Sequence, residues 1–292
     1  MTTPRHTATK TRSKPLYFIL KISAVVVVFL CFSASNSTSQ HTREEAHVLV
    51  SSRNSNQETM HTRNAYIQDT VSLKLPNGEA SNKNILDYIH CGSYFRSDTM
   101  NKNNDVEILM LHGAAFKKED WAKSGILNDF CFKGGKHISV TAIDLSVRVG
   151  VEGLEDAFQA LIGAGVLSGL PVIVISPSAS GKSIVNLASD GYKSDNGMSI
   201  LQKLLKTWIP VASPAVLSVK EKEIFSVFSK AGIDVLAIHG DQDEMGKNVT
   251  QTLENYAGAK GVQLHGRHPC YLDSPTQFVQ TIYDYLRGED IS

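Results

Sequence analysis

Along the middle of the chain, short apolar runs rich in β-branched residues alternate with longer segments whose apolar positions return every three or four residues. Val106 to Leu111, Ile138 to Ile143, Val172 to Ile175 and Ile233 to Ile238 are nearly continuous runs, the pattern of strands covered on both faces. Glu119 to Phe132, Leu154 to Val166 and Met198 to Trp208 carry a helical period between them. A mostly parallel sheet flanked by helices, an α/β fold, follows from that order. Ahead of it, Val71 to Leu75 alternates, Pro76-Asn77-Gly78 is a turn signal and Ile85 to His90 is a second strand, so a hairpin opens the domain. Helices at Met245 to Ala257 and Pro275 to Arg287 close it, with Val262 to Leu264 a last short strand. The stretch from a strand ending at Ala212 to the run at Ile233 is too short to hold a large lid domain.

The amino end breaks this pattern. Residues 1–15 carry Arg5, Lys10, Arg12 and Lys14 and no acidic group, and from Leu16 to Ala34 the only charge is Lys21. Residues 16–34 therefore read as a membrane span of about 19 residues, or as a signal h-region of about 11 residues followed by Ser33-Ala34-Ser35. The basic side is expected to stay cytosolic. That makes the protein single-pass type II with a lumenal or extracellular domain, or secreted if the segment is cleaved. The region 36–69 is rich in Ser, Asn, Gln, Thr and His without sustained periodicity and reads as a stalk or linker. The expected division is a basic tail over 1–15, a signal-anchor or signal peptide over 16–35, a linker over 36–69 and a folded domain over 70–292.

With 292 residues, 42% of them hydrophobic and 20% charged, the chain can bury one large core. The 29 basic and 29 acidic residues cancel, so no nucleic-acid partner is expected. Four cysteines without a C-x-x-C pair exclude the usual structural zinc sites. In an oxidising compartment Cys91, Cys131 and Cys270 allow one disulfide and a remaining thiol, with the pairing open. Sequons at Asn36 and Asn248 are no more than chance supplies.

In an open α/β sheet, ligands sit at the carboxyl ends of the strands. The run ending at Ile175 passes into Ser176-Pro177-Ser178-Ala179-Ser180-Gly181 and then a helical segment from Lys182. A strand, a tight turn of small residues and a helix, with Ser178 at the apex, is the layout that exposes a nucleophile; Ser176 and Ser180 stand where glycine is usual. A second strand end carries Asp241 and Asp243, and a third, after Leu264, carries His265 and His268. The chain order Ser178, Asp243, His268 is that of the α/β-hydrolase triad. The end of the first parallel strand, Leu111-His112-Gly113-Ala114, offers the Ala114 backbone N–H as an oxyanion donor, with Ala179 N–H as its partner. His112 and Asp144 read as structural. His239, Asp241, Asp243, His265 and His268 form a competing metal-ligand set, but no ligand spacing binds them and a metal leaves the Ser178 turn unexplained.

Taken together, Leu111-His112-Gly113, Ser176-Pro177-Ser178-Ala179-Ser180-Gly181, Gly240 to Gly246 and His268-Pro269-Cys270-Tyr271-Leu272-Asp273 resemble the abhydrolase domain-containing protein fourteen family. The similarity runs from about Val106 to Leu286, and the amino end resembles the membrane-anchored branch of that family. Gly191 to Lys206 and the loop Val147 to Gly153 depart from its pattern. The resemblance implies a small α/β-hydrolase without a lid whose triad matches Ser178, Asp243 and His268, with Asp243 rather than Asp241 as the acid. The expected function is a serine hydrolase acting on small acyl esters, thioesters or amides, without cofactor or metal. The alternatives are acyl transfer to a thiol acceptor and a catalytically idle membrane-tethered module with unidentified protein partners.

Overall fold

Neighbouring residues of the central strands point to opposite faces, and because both sets are apolar the sheet is covered on both sides. The protein is described by a computed structural model over residues 67–72, 85–92, 106–133 and 137–289, all within one unit, Met60–Ser292. Strands β1 (Ile67–Ser72), β2 (Ile85–Cys91), β3 (Val106–Met110), β4 (Ile138–Ile143), β5 (Val172–Pro177), β6 (Leu205–Val211), β7 (Asp234–Gly240) and β8 (Lys260–Leu264) form one sheet. Its order is β1-β2-β4-β3-β5-β6-β7-β8, antiparallel at β1, β2 and β4 and parallel from β4 to β8.

Helices α1 (Lys118–Lys123), α2 (Ile126–Lys133), α3 (Val151–Gly163), α4 (Gly181–Lys193), α5 (Asp195–Leu204), α6 (Ala215–Ser218), α7 (Ser226–Ala231), α8 (Glu244–Ala257), α9 (Cys270–Asp273) and α10 (Pro275–Arg287) flank it. Leu109, Val174, Val235 and Ala237 pack with Phe158, Ile184, Phe228 and Leu253 into one core. Ile108, Met110, Ile173, Ile175, Leu236 and Ile238 pack with Trp121, Phe130 and Phe278 into the other. Burying a side chain of this size contributes about 1.5–3 kcal/mol, so the central strands hold the carboxyl-end loops on a rigid platform.

The structure differs from the sequence expectations at several boundaries. The helix expected over Glu119 to Phe132 is two helices, broken where Gly125 adopts φ 82°, a left-handed conformation that glycine reaches without steric cost. The helix expected over Met198 to Trp208 ends at Leu204, because Leu205 onward pairs with β5 and β7. The first strand, Ile67–Ser72, begins ahead of the expected Val71, its register fixed by pairing from Ser72 with Ile85 to Ile67 with His90, and residues 73–75 lie outside the described residues. The turn at 76–78 lies outside the described residues.

The membrane location is corrected. Among the described residues no helix is long and apolar enough to cross a membrane. The longest, α8, has 14 residues against the roughly 20 a span needs. The expected span at 16–34, the tail at 1–15 and most of the linker at 36–69 lie outside the described residues, and the lumenal, extracellular or secreted placement that rested on that span is withdrawn with it. Cys91 and Cys131 form a disulfide, and Cys270 is a free, buried thiol that burial pushes up to about 12, far from reactivity.

Candidate active site

The fully buried strand β5 ends in a turn whose backbone is strained. Ser178 sits at φ 52°, a left-handed conformation uncommon for a residue with a side chain, and begins a short 3-10 turn, Ser178–Ser180, that leads into α4. Local hydroxyls hold this turn. Trp208 Nε1–H donates to Ser176 Oγ at 2.8 Å, and Ser180 Oγ donates to the Pro177 carbonyl at 2.9 Å. Ser213, at the end of β6, donates to the Ser178 carbonyl at 2.6 Å.

At the end of β7 the two aspartates have separate partners. Asp243 Oδ2 accepts from His268 Nδ1–H at 2.7 Å, while Asp241 Oδ2 accepts from His265 Nδ1–H at 3.0 Å and its Oδ1 from the Gly266 amide at 2.9 Å. Because the carboxylate can only accept, His268 carries its proton on Nδ1 and its Nε2 accepts from Ser178 Oγ–H at 2.9 Å. Asp243 is reached from solvent by only 8% of its side chain, against 38% for His268. Gly246 in α8 makes that burial possible, since a Cβ there would lie 2.5 Å from Asp243 Oδ2 and 2.9 Å from Ala212 Cβ. Bonds from the Gly266 amide and His265 hold the Asp241 carboxyl below the usual range.

The loop after β3 is pinned from several sides. Trp121 Nε1–H donates to the Leu111 carbonyl at 3.0 Å, and the Gly113 carbonyl accepts from His112 Nδ1–H at 2.9 Å and from the Phe116 amide at 3.0 Å. Asp144 lies behind this loop, with Oδ1 3.9 Å from His112 Nε2, beyond a hydrogen bond. Asp144 accepts from the Lys118 amide at 2.7 Å and from Lys118 Nζ at 3.0 Å. Burial opposes the Lys118 charge, but bonds to Glu119 and Asp144 outweigh it and raise its pKa.

Ser178 and His268 open onto a cavity of about 150 Å³ walled by Gly113, Ala114, Phe116 and Tyr271. Ala114 is exposed at its rim, and Ala179 follows Ser178 in the 3-10 turn. The five residues of the competing metal-ligand set do not converge. Asp241 pairs with His265, Asp243 pairs with His268, and His239 is buried against Thr250 Oγ1 at 3.0 Å, where burial lowers its pKa and keeps the ring neutral. Among the described residues no group of three or more His, Cys, Asp or Glu side chains is arranged to hold a metal ion.

Sequence reasoning missed Ser213, the Trp208 bond to Ser176, and Gly246. No local pattern marks Ser213, while the small residue three positions past Asp243 was a usable signal for close packing at the acid.

No protein-family profile matches the chain. It is 29% identical over 194 residues to the Homo sapiens protein named "Putative protein-lysine deacylase ABHD14B", an alignment covering 62% of this chain and 83% of that one. The Pongo abelii protein of the same name aligns with the same identity and coverage. Among solved structures, the predicted CIB-like hydrolase from Thermoplasma acidophilum superposes with a TM-score of 0.53 at 16% identity, covering 77% of this chain and 99% of that one. The chain has the α/β-hydrolase fold. Within this fold only α6, a 3-10 turn and α7 lie between β6 and β7, so no large lid domain is inserted there. The likenesses support the α/β-hydrolase superfamily and give no support to the membrane-anchored branch that the amino end resembles.

Proposed function

We propose that this α/β-hydrolase is a member of the abhydrolase domain-containing protein fourteen family and a serine hydrolase that cleaves small acyl esters, thioesters or amides through an acyl-serine intermediate. The observation that carries the reading is the unbroken relay from Asp243 through His268 to Ser178, with Ser178 held at a strained φ over an apolar cavity. Asp243 fixes the His268 tautomer and stabilises the imidazolium. His268 Nε2 takes the Ser178 proton as Oγ bonds to the substrate carbonyl carbon, and the negative charge that develops on the carbonyl oxygen is met by the Ala114 and Ala179 amides. Collapse breaks the bond to the alcohol, thiol or amine, which leaves with the proton from His268. Water, deprotonated by His268, then attacks the acyl carbon, releasing the acid and restoring Ser178. No cofactor enters this sequence.

The cavity bounds the acyl group. A cavity of about 150 Å³ holds a benzene-sized body, so chains of up to about six carbons fit and longer ones project into water. The relatives' name, protein-lysine deacylase, favours the amide of an acylated lysine as the substrate.

The test combines a fluorophosphonate probe with p-nitrophenyl esters of increasing chain length. Wild-type protein should label at Ser178 and prefer short chains, and Ser178→Ala should lose labelling and lower kcat by ~10⁴ or more. Measuring acyl release to water and to an added thiol separates hydrolysis from transfer. Normal turnover by Ser178→Ala would overturn the reading.

A further inference from the structure

A trans peptide holds its C=O and N–H antiparallel in one plane, so whatever grips the carbonyl also aims the N–H. The Ala179 N–H shares its peptide with the Ser178 carbonyl, and that carbonyl accepts from Ser213 Oγ–H at 2.6 Å. Ser213 is fully buried. Its hydroxyl lies against Gly181, where any side chain would collide with Oγ. Ser213 follows Ala212, which is held at φ 49° and is itself buried. Two left-handed, non-glycine positions, Ser178 and Ala212, therefore stand at the ends of the neighbouring strands β5 and β6, and the Ser213 hydroxyl ties one turn to the other.

The Ala114 N–H is held in the same manner, because it shares its peptide with the Gly113 carbonyl, which accepts from His112 Nδ1–H and from the Phe116 amide. Each proposed oxyanion donor thus belongs to a peptide whose carbonyl receives a side-chain hydrogen bond from a residue outside the triad. A bond donated into the carbonyl also polarises the peptide and strengthens its N–H as a donor.

Resting on the acyl-serine reading above, we infer that Ser213 is a positioning residue of the oxyanion hole, aiming and polarising the Ala179 N–H, with His112 in the corresponding place behind Ala114. The Ser213 hydroxyl bonds the backbone of Ser178 and not a triad side chain. Its effect appears only when charge develops on the carbonyl oxygen.

Ser213→Ala removes the hydroxyl and nothing else. The donor remains but is less well held, so kcat should fall about tenfold, less than the ~10²–10³ that outright loss of an oxyanion donor costs, with KM unchanged. The affinity for a short-chain trifluoromethyl ketone, whose serine adduct carries the same oxyanion, should fall by the same factor. Ser213→Cys, which keeps a weaker donor on a slightly longer arm, should recover part of both losses. Unchanged kcat and inhibitor affinity in Ser213→Ala would overturn the inference. So would a kcat loss without an inhibitor loss, a parallel rise in KM, or a Tm drop large enough to account for the lost activity, since each makes Ser213 a merely structural serine. If wild-type protein reacts with neither the ketone nor a fluorophosphonate, the acyl-serine reading falls and takes this inference with it. Labelled wild type with an indifferent Ser213→Ala removes the inference alone.

Discussion

Exchanging Asp243 and Asp241 in turn for asparagine separates the two strand-end carboxylates by what each one holds. Asp243 is nearly sealed from solvent, bonds His268 Nδ1 at 2.7 Å, and lies against Gly246, where an added Cβ would come within 2.5 Å of Oδ2. An asparagine in that space meets Nδ1 in one of two ways. If its amide nitrogen faces the ring, Nδ1 must accept, the proton moves to Nε2, and His268 can no longer take the proton of Ser178 Oγ. If its carbonyl faces the ring, the tautomer survives but the imidazolium loses its counter-charge in a poorly solvated place. The same exchange in a serine hydrolase of unrelated fold costs ~10⁴ in kcat, which at ~1.36 kcal/mol per tenfold is about 5.4 kcal/mol of transition-state stabilisation. Asp241 is one-third exposed, and its bonds go to His265 and the Gly266 amide, outside the relay. Asparagine keeps an acceptor there, so Asp241→Asn should cost less than about tenfold. The assay is kcat on p-nitrophenyl acetate, normalised to fluorophosphonate-titrated sites, with Tm as the control for folding. A crippled Asp241→Asn beside a mild Asp243→Asn would refute the assignment of the acid.

Two further predictions concern stability. The Cys91–Cys131 bond spans 40 residues, so replacing both cysteines by serine should release about 4 kcal/mol of loop-closure entropy to the unfolded chain, and urea denaturation that shows under 1 kcal/mol would contradict it. The loop bearing His268 is clamped by Asp241 and by Asp273, whose carboxyl is held below the usual range by the Arg267 side chain and amide. A carboxylate whose folded pKa is depressed stabilises above its unfolded value, and that contribution is lost as pH falls through the folded one. Hydrogen exchange at the Gly266 and Arg267 amides, corrected for intrinsic rates, should therefore show constant protection from pH 7 to about pH 4 and falling protection below; flat protection down to pH 3 would count against the clamp.

What was legible in the sequence, and what was not, divides by the range of the interactions. The runs that became β3, β4, β5 and β7 were readable because strands buried on both faces are apolar at most positions, as Ile108 and Leu109 show by entering opposite cores. The boundary between α5 and β6 was not, since Leu204 and Leu205 meet with no glycine or proline between them and only pairing with β5 decides where the helix stops. The first strand was displaced for the same reason: its register belongs to β2. Ser178, Asp243 and His268 were visible because each follows a strand end in the expected order. Ser213 was not, because its partner lies 35 residues away across two strands and a loop serine gives no local sign of such a bond. The Lys118 contact with Asp144, 26 residues apart, was hidden in the same way.

Serines replace glycines on both sides of Ser178, and the structure supplies a physical reason for the exchange. A strained turn can be tolerated by removing side chains or stabilised by bonding them, and this chain takes the second course. Trp208, in β6, is fully buried in the core, and its indole N–H finds its acceptor in Ser176 Oγ. Glycine at 176 would leave that N–H buried without a partner, which costs about 1–3 kcal/mol. Ser180 is likewise buried, and its hydroxyl returns to the Pro177 carbonyl, closing the 3-10 turn on itself. Ser213 completes the set from the neighbouring strand. The Ser180 and Ser213 hydroxyls thus hold the peptides on either side of Ser178, and the Ser176 hydroxyl ties the end of β5 to Trp208, at a position whose backbone conformation costs about 1–3 kcal/mol. The serine flanks bear on the stability of the turn and leave the bond from Ser178 Oγ to His268 untouched, so the departure from glycine is no argument that the site is idle.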